Sequence, residues 1–112
     1  MSLYSAYIKR SETQNFTLTT CNKDDVMLFV KRDDLIHPEV SGNKFRKLKY
    51  NIEKAREYNC ETVITYGGAY SNHLLAVAAV GHLENFKTIG VVRGDELSKS
   101  SNKLLKRCHE LG

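Results

Sequence analysis

From residue 43 onward the chain alternates between two hydrophobic periods, and this alternation restricts the possible fold more than any other feature. Phe45, Leu48, Ile52 and Ala55 recur at helical spacing and predict a helix over 43–58. Val63-Ile64-Thr65-Tyr66 is a short β-branched run that reads as a buried strand. Leu74 to Val80 is apolar on every side, so a helix there must be enclosed by other elements. Thr88 to Val92 reads as a second buried strand. Leu104, Leu105, Cys108 and Leu111 form one face of a last helix, which Ser100 or Ser101 can cap. Helix-strand-helix-strand-helix is the order of a parallel sheet with helical crossovers. The expected class is therefore α/β, built on an open parallel sheet that is incomplete.

The segment before this alternation follows another rule. Asn15 to Thr20 and Val26 to Arg32 predict a pair of strands joined through the polar turn Asn22-Lys23-Asp24-Asp25. Asp33 to Gly42 then forms a loop with the only proline, Pro38. At the other end Gly112 suits the residue just past a helix, where the next strand of a crossover fold is due. Two or three parallel strands are few for a self-sufficient α/β domain. The expectation is a chain forming the first part of a longer one, with little or no activity alone.

Composition narrows the function classes. With 41% hydrophobic and 27% charged residues the chain is of globular and not disordered type. No apolar run approaches the roughly 20 residues that span a bilayer, and the first 14 residues lack a signal-peptide core. Cys21, Cys60 and Cys108 are far apart and form no CxxC pair, which predicts neither a disulfide framework nor a zinc site and favours a reducing cytoplasm. The four histidines show no metal-ligand spacing. A net charge of +4 invites a nucleic-acid reading, but acidic residues are interleaved with basic ones, as in KRDD at 31–34. A non-catalytic α/β module, binding a nucleotide or a partner through its basic face, is the alternative class to an enzyme.

Two loops carry the candidate chemistry. Ser41-Gly42-Asn43-Lys44 delivers a lysine to a helix start, where the partial positive charge disfavours an ammonium group. Lys31, Arg32, Arg46, Lys47 and Lys49 lie in the same segment and are expected to act in the same direction. A lysine so perturbed is suited to Schiff-base chemistry with carbonyl compounds. The helical period also places Lys44, Lys47 and Asn51 together, away from the apolar stripe. The second loop, Gly67-Gly68-Ala69-Tyr70-Ser71-Asn72-His73, joins a strand to a helix, where open α/β sheets bind ligands. Ser71 and Asn72 either cap that helix or help its free N–H groups receive an anion. Neither loop is a dinucleotide fingerprint or a P-loop.

VKRDDL, SGNKFRKLKY and TVITYGGAYSNHLLAVAA together resemble the opening of the pyridoxal-phosphate enzymes of the tryptophan-synthase-β fold. Within them the chain is most similar to the aminocyclopropane-carboxylate deaminase and D-cysteine desulfhydrase family, over residues 26–112. The first 25 residues match less well, since Ser11-Glu12-Thr13-Gln14 lacks the family's preceding proline. The resemblance implies pyridoxal 5′-phosphate as cofactor and a small amino acid as substrate, with ammonia and a 2-oxo acid released. Lys44 would bind the cofactor's aldehyde covalently and later carry the substrate's α-proton, and Lys47 would reach the phosphate. Ser71, Asn72 and the His73 backbone would grip the substrate carboxylate, with catalytic roles at Lys44 and Ser71 and Asn72 near the cofactor ring. It also implies that 1–42 belongs to the larger cofactor domain of a homodimeric parent and 43–112 to the first part of its smaller domain. The family's glycine-rich phosphate loop and reaction-deciding tyrosines have no counterpart in this chain.

Overall fold

A computed structural model describes residues 7–8, 10–17, 26–40, 42–95, 97–98 and 102–112. Strands β1 (Thr13–Phe16) and β2 (Leu28–Lys31) pair antiparallel, with Thr13 opposite Lys31 and Phe16 opposite Leu28. The predicted strand pair is present, with β1 set two residues earlier than its periodicity implied. The predicted turn at 22–25 lies outside the described residues, as do Ser41, Ser100 and Ser101. A 3-10 turn (Asp33–Leu35) follows, and then helix α1 (Asn43–Glu57), strand β3 (Thr62–Gly68), helix α2 (Asn72–Glu84), strand β4 (Lys87–Arg93) and helix α3 (Lys103–Leu111). β3 and β4 run parallel in register, Thr62 beside Lys87 and Gly68 beside Arg93, with α2 as their crossover. The fold is α/β, as expected.

The core forms between helices. Phe45, Leu48 and Ile52 of α1 meet Ala76, Val77, Ala79 and Val80 of α2 in one buried cluster. Each large side chain buried this way contributes about 1.5–3 kcal/mol. Because α1 covers one side of α2 while the sheet and α3 take the others, α2 is buried around most of its circumference. Arg56 of α1 pairs with the buried Glu84 of α2 and also donates to its backbone carbonyl at 3.3 Å. After α1 and at the end of α2 the backbone turns through left-handed asparagines, Asn59 and Asn85.

Three expectations are corrected. The segment after β2 is more than a connecting loop: Ile36 and Val40 are 0% and 2% exposed, and they anchor it beneath α1. Neither parallel strand is buried on both faces. Thr65, Gly67, Gly90 and Val92 face the helices, whereas Ile64, Tyr66, Ile89 and Val91 remain 57%, 72%, 42% and 44% exposed. Among the described residues, the packed helices lie on one side of the sheet and leave the other uncovered. Finally, the last helix is capped neither by Ser100 nor by Ser101: Asn102 is its N-cap, accepting from the Leu105 N–H at 2.9 Å.

Candidate active site

The lysine turn is built around Asp33. Gly42 adopts φ +60°, a left-handed conformation that only glycine enters without strain, and its N–H donates to the Asp33 carbonyl at 2.9 Å. The Asp33 carboxylate receives Arg46 Nε and Nη2 at 2.5 and 2.7 Å and the buried Ser11 hydroxyl at 2.5 Å. Those partners, Arg46 first and Ser11 second, hold the carboxyl down at about 2. Lys44 is the second residue of α1, half-buried, with Nζ donating to Asn43 Oδ1 at 2.9 Å. No acidic residue occupies the first turn of α1 and no side chain caps it.

The expected crowding of Lys44 by like charges is corrected in part. Arg32 pairs with Asp34, Arg46 with Asp33 and Lys49 with Glu53, while Lys31 donates to the Ser11 carbonyl. Lys47 has no ion pair among the described residues and is exposed, its carbonyl accepting from Asn51 at 2.8 Å. Of the cations expected to surround Lys44, Lys47 is the one left to share its site.

The serine turn is shorter than its sequence suggested. Gly67 and Gly68 are the last residues of β3, paired with Val92 and Arg93, so the connection is only Ala69-Tyr70-Ser71. Gly67 is required for space: a Cβ there would sit 2.8 Å from Leu74 Cγ and 3.0 Å from Ser71 Cβ and Oγ. Asn102 Nδ2 donates to the Ala69 carbonyl at 2.9 Å, so the residue that caps α3 also holds this turn. Ser71 takes the N-cap position, but its side chain makes no cap bond. Its N–H is engaged with the Gly68 carbonyl at 3.0 Å, leaving the hydroxyl as the group it can offer. Helix geometry leaves the N–H groups of Asn72 and His73 without partners inside α2, and they meet no carboxylate in the first turn. Ser71 therefore holds the capping position without a capping bond from its side chain.

His73 brings the two turns together. Burial is the largest influence lowering its imidazole below the ordinary histidine range, followed by the charges of Lys44 and then Lys47. Both lysines at the start of α1 thus act on the first turn of α2. Lys44, Lys47, Ser71, Asn72 and His73 form one neighbourhood: an amine, a second cation, a hydroxyl and open backbone N–H groups. Such a donor set receives anions and can condense with a carbonyl. Among the described residues no group of three or more His, Cys, Asp or Glu side chains is placed to hold a metal.

A groove of about 340 Å³ lies elsewhere, between the sheet, α2 and α3, with Val77, Val92, Leu105 and Cys108 in its walls. It is of mixed character, with Thr65, Thr88 and His109 also in its walls, and holds none of the site residues. Sequence reading missed Asp33 and Asn102; the signals were the first acid of KRDD and a capping residue directly before Lys103.

Fold and site together define a class: an α/β chain presenting a primary amine near a helix start that carries no acidic residue and no side-chain cap. The chain belongs to the family of 1-aminocyclopropane-1-carboxylate deaminases and D-cysteine desulfhydrases. It is 37% identical over 81 residues to a putative 1-aminocyclopropane-1-carboxylate deaminase of Pyrococcus abyssi, covering 72% of this chain and 24% of that protein. A bifunctional D-cysteine desulfhydrase/1-aminocyclopropane-1-carboxylate deaminase of Arabidopsis thaliana, described as mitochondrial, is 40% identical over 70 residues, 62% of this chain and 18% of that protein. A putative deaminase of the same name from Thermotoga maritima is 41% identical over 78 residues, 70% of this chain and 25% of the relative. The chain spans about a quarter or less of the length of these curated relatives. No protein-family model matches it, and no solved structure does. No helix among the described residues is long and apolar enough to cross a membrane.

Proposed function

We propose that this chain is the lysine-bearing part of a pyridoxal-5′-phosphate-dependent deaminase or desulfhydrase acting on a small amino acid of aminocyclopropane-carboxylate or D-cysteine type. Ammonia and a 2-oxo acid are its products. The observation that carries this reading is the convergence of Lys44 and Lys47 on His73 across two helix starts that contain no acidic residue. The names of the relatives point the same way.

An aldehyde bearing a phosphate fits this donor set, because it asks for a primary amine and for cationic or N–H groups free of competing carboxylates. When bound, pyridoxal 5′-phosphate supplies an electron sink for the pair left at the substrate α-carbon. Lys44 Nζ would hold the cofactor and take the α-proton, with its bond to Asn43 Oδ1 orienting the amine. Lys47, one turn on, meets the phosphate. The Ser71 hydroxyl and the N–H groups of Asn72 and His73 would hold the substrate carboxylate, and the Asn72 side chain would serve the cofactor. Residues 1–42 belong to the larger domain of the parent and 43–112 to its smaller one, and the parent is a homodimer. The free thiols of Cys60 and Cys108 support a cytoplasmic setting.

In the full-length protein Lys44→Ala should abolish turnover of D-cysteine and of aminocyclopropane carboxylate. It should also remove the borohydride-stable label that pyridoxal 5′-phosphate leaves on Lys44. Undiminished turnover would refute the enzyme reading and leave a non-catalytic binding module in its place.

A further inference from the structure

We propose that Asp33 is the positioning residue of Lys44, setting where the amine is presented; this rests on Lys44 being the cofactor lysine. One residue bonds the chain on both sides of that lysine, the backbone before it and the Arg46 side chain after it. The Asp33 carbonyl accepts from Gly42 N at 2.9 Å, two residues before Lys44. Its carboxylate takes Arg46 Nε at 2.5 Å and Nη2 at 2.7 Å, two residues after it. Gly42 and Arg46 therefore cannot shift independently, and the first turn of α1 is clamped to the 3-10 turn before it.

The clamp is grounded at a third point. Ser11, itself buried, donates its hydroxyl to Asp33 Oδ1 at 2.5 Å, and Lys31 of β2 donates to the Ser11 carbonyl. Asp33 thus ties the β1–β2 ribbon to the start of α1. Charge assistance and two-point contact make the Arg46 link directional as well as attractive. The same link turns the Nε and Nη2 edge of the Arg46 guanidinium towards Asp33 and balances its charge there. A residue that merely stabilised the fold would have no reason to bracket the lysine from both sides.

The test compares the full-length protein with its Asp33→Asn, Arg46→Gln and double variants, at a temperature where circular dichroism shows all of them folded. Each is incubated with pyridoxal 5′-phosphate, reduced with borohydride and digested, and the label on Lys44 and Lys47 is quantified by mass spectrometry. We expect either single substitution to slow labelling of Lys44 about tenfold, as a small displacement of a reacting group does. The share of label on Lys47 should rise, and the double variant should be no worse than the singles, because all three remove one link. Asp33→Glu, which keeps the charge, should recover much of the Lys44 selectivity. If Asp33→Asn unfolds, Arg46→Gln carries the test alone, since Asp33 keeps its bonds to Gly42 and Ser11. Labelling of Lys44 unchanged in rate and selectivity, with only a lower melting temperature, would overturn the inference and leave the Lys44 assignment intact. No labelling of Lys44 in the unsubstituted protein would bring down the assignment and the inference together.

Discussion

The lysine turn and the serine turn solve one problem by opposite means. Each leaves a helix start without a side-chain cap bond, and each is held by a glycine and a remote polar residue. At the lysine turn Gly42 supplies backbone freedom, with open space where a Cβ would be, and Asp33 supplies a charged clamp. At the serine turn Gly67 supplies room against Leu74, and Asn102 supplies a neutral hydrogen bond to Ala69. The difference follows from what each turn presents. A turn offering a lysine among other cations needs a fixed negative charge to draw those cations off. A turn offering backbone N–H groups to an anion is better held by a group that carries no charge of its own.

The comparison breaks most visibly at the glycines. Gly67→Ala forces Leu74 or Ser71 to move and should cost about 1–3 kcal/mol of stability in a denaturant titration. Asn102→Ala should follow, at about 1–2 kcal/mol, since it removes the α3 cap and frees the Ala69 carbonyl together. Asn102→Ser, which keeps a cap, separates those two roles. Gly42→Ala meets no neighbour, only an unfavourable φ, and should cost about 1 kcal/mol. Gly42→Asn should fare no better than alanine, because φ +60° with ψ −140° lies outside the left-handed helical region that asparagine tolerates.

Titration sharpens the same contrast with smaller effects. Asp33 is held at about 2, below the roughly 3.9 of a free aspartate. Its contribution is fully present above about pH 4 and is lost as pH falls towards 2. Acid unfolding of Asp33→Asn should lack that component. At the serine turn His73 is held below the ordinary histidine range, so the folded state binds its proton less readily than the unfolded chain. That stability declines as pH drops below about 6.5. Inorganic phosphate at the site offsets the lysine charges, so the His73 midpoint followed by NMR should move up when phosphate is added. An unmoved midpoint would separate His73 from the lysines.

What the sequence made legible was local. The stripe Phe45, Leu48, Ile52 marked α1 within a residue of its end, and the all-apolar run at 74–80 marked an enclosed helix. Both loops were identifiable because glycine, asparagine and lysine have distinct conformational or chemical meaning at helix starts. The clamps were not, because Asp33 reaches Arg46 across 13 positions and Asn102 reaches Ala69 across 33, and no periodicity records such a pairing. The strands were placed but their burial was misjudged. Val63-Ile64-Thr65-Tyr66 has the composition of a strand covered on both faces, and only the packing of the helices decides which face is covered. The buried Ile36 and Val40 went unseen for a related reason, as single apolar residues in a loop carry no period.

The uncovered sheet face has a calorimetric consequence. Ile64, Tyr66, Ile89 and Val91 are partly wet in the folded chain, as are Phe29 and Val30 of β2, so unfolding adds less new water contact at these side chains than at buried ones. Heat capacity rises on unfolding in proportion to newly exposed apolar surface, by about 12–15 cal/mol/K per residue in ordinary globular proteins. This chain should fall below that range, and its stability should vary less steeply with temperature on both sides of its maximum.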